Sequence, residues 1–280
     1  MASALTRDAL IVVMPELPEV ETIRRQLEPV LRGRQFVDAW TFGTPKFAAA
    51  LDVIGARVEQ VGRRGKYLLC DLDDDRLLAI HLGMTGVLRV RRHDREDPYL
   101  RAAWTLDDGV VVEFQDVRRF GRIGVVPRDD LRALPTLHAL GPEPLSDEFE
   151  ACAFHEALIA SGRAIKTQLL SQRPVAGVGN IYADEALWRA RVHPAARTIS
   201  RPKAHALHAA IRAVLSEALE RRGTTLRDYR TFDGDYGENQ DMLQVYGRAG
   251  EPCARCGRPL RSFPLDARTT TYCAVCQRRR

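Results

Sequence analysis

Four cysteines near the carboxyl end of the chain have the residue type and the spacing of a metal site. They form the pattern C-x2-C-x16-C-x2-C at Cys253, Cys256, Cys273 and Cys276. Two such pairs supply four thiolates on two tight turns, which is the tetrahedral donor set that Zn²⁺ prefers. The segment is too small to fold without a metal, and no further donor is evident, so the pattern predicts one structural zinc ion. Disulfides or a redox pair are the alternatives, although disulfides are disfavoured inside cells.

The stretch "VAGVGNIYADE", residues 175–185, is a second candidate for chemistry. Its two glycines let the backbone turn sharply, and Asn180 is a suitable cap for a following helix. The free N–H groups at the start of such a helix are able to hold a phosphate. A packing corner between two helices is the alternative, because two glycines at this spacing form a weak motif.

The charge distribution favours a polyanionic partner. The chain carries a formal net charge of +5, from 42 basic against 37 acidic residues. Residues 253–280 alone contain seven arginines and one acid, Asp266, so this segment predicts contact with nucleic acid. A solvated basic tail is the alternative. The longest apolar run near the amino terminus, residues 9–13, is too short for a signal peptide or a membrane span, so we expect a soluble, cytoplasmic protein.

The pattern of apolar residues predicts which elements must position these groups. Residues 18–31 have a helical apolar face, with Pro18 in the first turn, Gly33 at the stop, and Pro29 predicting a kink or an early finish. Residues 54–126 then show strand patterns that predict a β-sandwich. These strand patterns are "ARVEQV", "KYLLCDL", "RLLAIHL", "GVLRVRR" and the pair "AAWTL" and "VVVEFQ", which Asp107-Asp108-Gly109 joins as a hairpin.

Helical patterns follow a proline-rich boundary at residues 132–146. They cover residues 146–160, 166–172, 180–190 and 201–222. The last of these has one apolar stripe that ends at Gly223. Cys70 and Cys152, which stand outside the zinc pattern, are expected to be buried apolar side chains.

Nine motifs in order then carry a resemblance to a known family. They are "MPELPEVE", "RRGKYLL", "HLGMTG", "DVRRFG", "GPEPLS", "GVGNIYADEAL", "GTTL", "QVYGRAGEPCARCG" and the paired CxxC. Together they resemble the formamidopyrimidine-DNA glycosylase family, also called Fpg or MutM, over nearly all of the chain after Met14. The resemblance implies an α+β fold with an N-terminal β-sandwich flanked by helices (15–135) and a linker (136–146). A helix–two-turns–helix domain (147–240) and a zinc-finger β-hairpin (241–280) would follow.

The resemblance also implies catalytic roles for four residues. In this family the initiator methionine is removed, and the exposed proline, here Pro15, attacks C1′ of the damaged nucleotide to form a Schiff base. An internal proline is a tertiary amide without a basic lone pair, so this role requires Pro15 to be the first residue. Glu16 matches the acid/base carboxylate. Lys66 matches a lysine beside the damaged nucleotide, and Arg268 matches the hairpin arginine that grips the phosphates around the lesion.

Other positions match residues of the family that contact DNA. Met84, Arg118 and Phe120 match the three side chains that fill the space left by the extruded nucleotide, and Arg118 would pair with the orphaned cytosine. The DNA-contacting residues implied at other positions are Asn180, Tyr99 where the family often has histidine, and Arg163 as a substitute for a basic residue expected at Ser161.

Residues 1–14 are therefore expected to be absent from the active protein, either untranslated or trimmed. The function that the resemblance implies is a DNA glycosylase and AP lyase. It would excise 8-oxoguanine and formamidopyrimidines from double-stranded DNA and then cut the backbone by β,δ-elimination, as a nucleoid-associated monomer. An endonuclease VIII-like enzyme for oxidised pyrimidines is one alternative, and a non-catalytic zinc-ribbon DNA-binding protein with an internal Pro15 is the other.

Overall fold

The computed structural model describes residues 14–91 and 97–279. Its first helix contains the second half of the "MPELPEVE" segment. Helix α1 (Leu17–Leu31) buries the predicted apolar face against the sandwich. Pro29 lies inside this helix, so the expected early finish is wrong, and the chain leaves at Gly33, whose φ is +78°. The extension of residues 1–13, Arg92 of "GVLRVRR" and Arg280 of the basic tail lie outside the described residues.

Two four-stranded antiparallel sheets form the predicted sandwich. The strands are β1 (Phe36–Thr41), β2 (Val58–Arg64), β3 (Tyr67–Leu72), β4 (Arg76–His81), β5 (Gly86–Val90), β6 (Leu100–Leu106), β7 (Val111–Asp116) and β8 (Arg122–Pro127). One sheet has the order β1-β6-β7-β5 and the other β2-β3-β4-β8. The loop at residues 107–109 joins β6 and β7 as predicted, with Gly109 at a φ of +84°. A short 3₁₀ helix (Ala48–Leu51) lies between β1 and β2.

Packing between distant segments closes the sandwich core. Apolar side chains of α1 and of both sheets form this core. Tyr229 and Phe232, which come much later in the sequence, also pack into it. The carboxyl-terminal half of the chain therefore contributes to the core of the amino-terminal half.

The helical region contains α2 (Pro135–His138), α3 (Ala151–Ile159), α4 (Ile165–Leu170), α5 (Asn180–Arg189) and α6 (Arg201–Glu220). Helix α3 begins five residues later than its predicted start at residue 146, and a 3₁₀ turn (Gln240–Met242) follows α6. Leu17 at the start of α1 is buried in the core of these helices. Cys152 is exposed, so the expectation that it is a buried apolar side chain is wrong, whereas Cys70 is fully buried.

Strands β9 (Arg261–Leu265) and β10 (Arg268–Tyr272) form a hairpin at the carboxyl end. Its turn residues Asp266 and Ala267 both have positive φ, as two-residue hairpin turns of this twist require. A small core that includes Trp188 and Val245 joins the hairpin segment to α5. The observed order of sandwich, helical region and hairpin agrees with the predicted α+β fold. Among the described residues, no helix is long and apolar enough to cross a membrane.

Candidate active site and metal centre

The Glu16 carboxylate lies on the amino end of α5. Glu16 Oε2 accepts hydrogen bonds from the backbone N–H of Gly179 at 2.6 Å and Tyr182 at 3.4 Å, and Oε1 accepts one from Ile181 at 2.8 Å. These N–H groups have no partner inside the helix, and the helix dipole adds to their attraction for a negative charge. Glu16 and the preceding residue, Pro15, are both buried at this point.

The two glycines of "VAGVGN" permit this close approach of two chain segments. A Cβ atom at Gly179 would lie 2.3 Å from Cδ of Glu16, and one at Gly177, whose φ is +81°, would lie 2.6 Å from Leu17. The cap residue of α5 is Gly179 and not Asn180, which is the first residue of the helix. The expectation that these N–H groups are free for a phosphate is therefore wrong, because Glu16 occupies them.

Two titratable groups of the predicted site are buried together. Burial raises the pKa of the Glu16 carboxyl, and the charge of Lys66 and the α5 hydrogen bonds partly offset this rise. Burial likewise lowers the pKa of the Lys66 ammonium, which Glu16 and Glu19 oppose and Arg268 reinforces. A carboxyl that retains its proton more readily and an amine that loses its proton more readily suit proton transfer near neutral pH.

Glu143 of the "GPEPLS" motif holds the turn that carries Lys66. Its Oε1 accepts a hydrogen bond from the backbone N–H of Gly65 at 2.6 Å, and its carboxylate pairs with Arg63 at 2.8 Å and Arg64 at 3.2 Å. No local pattern pointed to Glu143, because its partner at Gly65 is nearly eighty residues away.

Glu19, in the first turn of α1, is a second buried carboxylate. Its Oε1 accepts hydrogen bonds from the Tyr182 hydroxyl at 2.5 Å and Thr224 N–H at 2.7 Å, and Oε2 accepts one from Glu16 N–H at 2.8 Å. Burial, with the nearby charge of Glu16, raises the pKa of Glu19 to about 7, despite these hydrogen bonds. The sequence does contain a signal for this contact, because two glutamates three residues apart at a helix start are typical of a capping box.

A buried ion pair docks the carboxyl-terminal hairpin on the helical region. Lys166 Nζ lies 2.6 Å from Oδ1 of Asp184, and both side chains are fully buried. Lys166 also donates to Thr270 Oγ1 at 2.8 Å, while Asp184 accepts from Thr271 N–H at 2.9 Å. The two contacted residues lie in β10 within three residues of Arg268, so the ion pair holds the strand that carries Arg268.

Arg268 lies beside this docking surface, and Asn180 bonds to the residue that follows it. Arg268 is exposed directly after the hairpin turn, and its charge acts on both Lys66 and Lys166. Asn180 Nδ2 donates to Thr269 O at 3.3 Å and to the Tyr246 hydroxyl at 3.4 Å. Arg268 and Lys66 thus form a positive region beside Glu16, as an anionic substrate requires.

The three predicted space-filling residues lie on two adjacent loops that cross between the sheets. Met84 belongs to loop 82–85, between β4 and β5, and is half-buried. Arg118 and Phe120 belong to loop 117–121, between β7 and β8, and are exposed, with the guanidinium 4.9 Å from the centre of the phenyl ring. The fold therefore brings together residues that are 36 positions apart in the sequence.

Tyr99 and Arg163, the remaining predicted DNA contacts, are exposed at separate places. Tyr99 precedes β6, and its N–H donates to Asp97 Oδ1 at 2.7 Å. Arg163 precedes α4, and its carbonyl accepts a hydrogen bond from Gln168 Nε2 at 2.9 Å. Neither residue contacts the Glu16 site.

The four cysteines of the paired CxxC pattern converge at the base of the hairpin. Their Sγ atoms all lie within 4.8 Å of one another. Zn–S bonds of about 2.3 Å in a tetrahedron place the sulfurs about 3.8 Å apart, so the cluster fits zinc. Trp188 Nε1 donates to Cys253 Sγ at 3.4 Å, which stabilises a thiolate from outside the cluster.

Family models match three successive parts of the chain. The formamidopyrimidine-DNA glycosylase N-terminal domain matches residues 14–123, the H2TH domain of the same family matches 140–230, and a zinc finger found in FPG and IleRS matches 250–279. The zinc-finger match and the converging thiols together assign one structural zinc ion to the four cysteines.

Curated relatives and solved structures are similar over almost the whole chain. The formamidopyrimidine-DNA glycosylase of Deinococcus radiodurans is 44% identical over 277 residues, covering 94% of this chain and 97% of the relative. The crystal structure of MutM (Fpg) from Thermus thermophilus has a TM-score of 0.88 at 44% identity, covering 95% of this chain and 100% of that one. A Lactococcus lactis Fpg mutant in complex with Fapy-dG-containing DNA has a TM-score of 0.87 at 35% identity, with the same coverage.

Proposed function

The chain belongs to the formamidopyrimidine-DNA glycosylase family, and we propose that it acts on DNA through a nucleophile at Pro15. It is a glycosylase and AP lyase of base excision repair that acts on double-stranded DNA containing damaged bases. We propose that its substrates are oxidised purines, because Met84, Arg118 and Phe120 form the space-filling set used by the family members that act on oxidised purines. The observation that carries the proposal is the buried Glu16 carboxylate on the amino end of α5, directly after Pro15 and under the influence of the Lys66 charge.

The first stage replaces the bond to the base with a bond to the protein. The free secondary amine of Pro15 attacks C1′ of the extruded nucleotide, and the base leaves with the electron pair of the glycosidic bond and a proton. The sugar C1′–O4′ bond then breaks, and O4′ takes a proton that Glu16 supplies, leaving an iminium ion at C1′. The raised pKa of Glu16 favours this role, since a carboxyl with an ordinary pKa holds almost no proton at neutral pH.

The second stage cuts the backbone. Loss of a proton from C2′ of the iminium expels the 3′ phosphate, and a further proton loss expels the 5′ phosphate. Water then hydrolyses the iminium and releases Pro15. Arg268 and Lys66 provide positive charge beside this reaction, where they are able to stabilise the departing phosphates.

Residues around this centre would hold the DNA. We propose that Asn180, Arg163 and Tyr99 contact the backbone, while Met84, Arg118 and Phe120 enter the duplex and Arg118 pairs with the base opposite the lesion. In this arrangement the zinc ion is structural, because four cysteines leave it no open position. We place the enzyme in the cytoplasm, in association with the nucleoid, as a monomer.

Single-turnover excision tests this function. The protein that begins at Pro15 should release 8-oxoguanine opposite cytosine much faster than thymine glycol, and Glu16→Gln should abolish release while DNA binding remains. Faster release of thymine glycol would instead favour an enzyme for oxidised pyrimidines. Binding without release by the wild-type protein would contradict the catalytic assignment.

A further inference from the structure

The two loops that carry the space-filling residues share one buried carboxylate, that of Asp116. This residue ends β7 and is fully buried. Its Oδ1 accepts hydrogen bonds from the Thr85 hydroxyl at 2.5 Å and Arg118 N–H at 3.2 Å, and its Oδ2 accepts one from Gly121 N–H at 2.7 Å. Arg118 N–H also donates to the Thr85 hydroxyl at 3.0 Å.

These bonds enclose the positions that would enter DNA. Thr85 directly follows Met84, and the bonded N–H groups of Arg118 and Gly121 lie on either side of Phe120. One carboxylate therefore determines the relative placement of both loops, although no atom of Asp116 is itself exposed to a ligand.

The backbones of the two loops also pack tightly at Gly83. Its φ is +66°, and an added Cβ would lie 2.5 Å from the Phe120 carbonyl carbon and from Gly121 N. Gly83 N–H donates to His81 Nδ1 at 3.1 Å. Burial lowers the pKa of His81 to about 4, with Lys66 and Arg122 adding to the effect, so the ring is neutral and able to accept this bond near pH 7.

Loop 117–121 is held in a conformation that the chain would not adopt unaided. Arg119 has a φ of +56°, in the left-handed region that side chains other than glycine disfavour. Lys46 Nζ donates to Arg119 O at 2.8 Å, and the Arg119 guanidinium lies 4.8 Å from the Phe42 ring centre. Such strain persists only where surrounding contacts determine the conformation, and the bond from Gly121 N–H to Asp116 is a buried one in this loop.

We propose that Asp116 and Thr85 form a clamp that preorganises the space-filling residues and thereby sets discrimination of the base opposite the lesion. This inference rests on the proposed function of Arg118. Asp116 and Thr85 are positioning residues: they act through Arg118, Phe120 and Met84 and do not contact the reacting atoms. Without the clamp, the two loops would become ordered only when they enter DNA. The entropic cost of ordering them would then weaken the step in which the opposite base is recognised.

The test compares Asp116→Asn and Thr85→Val with Thr85→Ser, which keeps the hydroxyl. The readouts are the ratio of 8-oxoguanine excision rates opposite cytosine and adenine, and the fluorescence of 2-aminopurine next to the lesion, which reports insertion into the stack. We expect Asp116→Asn to reduce the ratio about tenfold, the order expected for losing a buried charged hydrogen bond. Thr85→Val should reduce both readouts, and Thr85→Ser should restore them.

Each variant is repeated in the Arg118→Ala background to separate positioning from general damage to the fold. If the clamp acts through Arg118, Asp116→Asn causes no further loss of the ratio there. An equal loss in both backgrounds, or an unchanged ratio in folded, zinc-loaded Thr85→Val, overturns the clamp. A wild-type protein that excises no 8-oxoguanine contradicts the proposed function as well, whereas an active wild type with unaffected variants contradicts the clamp alone.

Discussion

Glu16 connects three features that lie far apart in the sequence: the candidate nucleophile, the amino end of α5 and the Lys66 turn. Its contacts are local in space, at 2.6 Å to Gly179 N–H and 2.8 Å to Ile181 N–H. A carboxyl group held in this way cannot turn freely, so when protonated it delivers its proton from a fixed position. Residues that fix Glu16 should therefore affect the reaction rate more than they affect folding.

Replacing Gly179 by alanine tests this positioning. The new Cβ would lie 2.3 Å from Glu16 Cδ, so the carboxylate must move, and we expect excision to slow by about a hundredfold. Gly62→Ala is the matched control, because its Cβ would contact only Leu69 O, at 3.9 Å, and its rate should not change. Equal rates for the two variants would show that the position of Glu16 is not critical.

The raised pKa of Glu19 predicts a pH-dependent stability. A carboxyl with a pKa of about 7 in the folded protein and 4.5 when unfolded binds more protons in the folded state between these values. This residue should therefore lower the free energy of unfolding as the pH rises from about 5 to about 7, by at most about 3 kcal/mol.

Urea unfolding of the wild type and Glu19→Gln measures this effect. The variant lacks the titrating group, so its stability relative to wild type should improve as the pH rises from about 5 to about 8. A difference that stays constant with pH would contradict the raised pKa.

Arg118→Ala should weaken opposite-base discrimination more than it slows cleavage at a preformed abasic site. The reason is that the guanidinium, placed over Phe120, is the group proposed to satisfy the orphaned cytosine edge. The two rates are measured on duplexes with cytosine or adenine opposite the lesion. An unchanged preference would show that another residue reads the opposite base.

Among the elements, the zinc hairpin depends on contacts from both of its ends. The thiolate cluster closes its base, and the buried Lys166–Asp184 pair holds β10 against α4 and α5. Removing one partner of a buried ion pair leaves an uncompensated charge, so both ends are sensitive to substitution. The hairpin is thus positioned as a unit, and Arg268 is positioned with it.

Cys273→Ser should release the zinc ion and abolish binding to lesion DNA, because a lost ligand unfolds a module of this size. Metal analysis and a DNA-binding titration measure the two effects. Cys152→Ser is the matched control, since that thiol is exposed and outside the cluster, and it should retain one zinc ion per chain. A Cys273→Ser protein with full zinc content would contradict the ligand assignment.

Local patterns in the sequence predicted much of the element order. The paired CxxC spacing, the hairpin at residues 107–109 and the apolar face of α1 are signals within short windows, and each is found where it was expected. Strand β1 was not predicted, because as an edge strand with a bulge it exposes Val37 and Trp40 and lacks regular alternation.

Long-range partners limited what could be predicted of the site. The glycines at 177 and 179 predicted a sharp turn, but not the group that packs against them, because Glu16 comes from more than 160 residues away. Glu19, Glu143 and Asp116 were missed as positioning groups for the same reason, since each accepts hydrogen bonds from loops that only the tertiary fold brings together. Patterns of residue type show which side chains are capable of chemistry. Their protonation and their hydrogen-bond partners depend on burial and on long-range contacts, which these patterns do not show.

At the scale of the whole molecule, segments that are distant in the sequence share cores and act on one another's charges. The start of α1 is buried in the helical core, Tyr229 and Phe232 pack into the sandwich core, and the charge of Arg268 acts on Lys66. The sandwich carries the space-filling loops and also Lys66, which lies between β2 and β3, whereas the hairpin carries Arg268. A nucleotide extruded between them would meet Pro15, Glu16 and Lys66 together.

Borohydride trapping of the protein on 8-oxoguanine DNA, followed by intact-mass measurement and peptide mapping, tests the central claim most directly. The account predicts a covalent adduct whose protein part begins at Pro15, with the DNA attached to the amino-terminal peptide. An adduct that retains residues 1–13 would contradict it, because Pro15 would then be an amide and a lysine such as Lys66 would have to be the nucleophile.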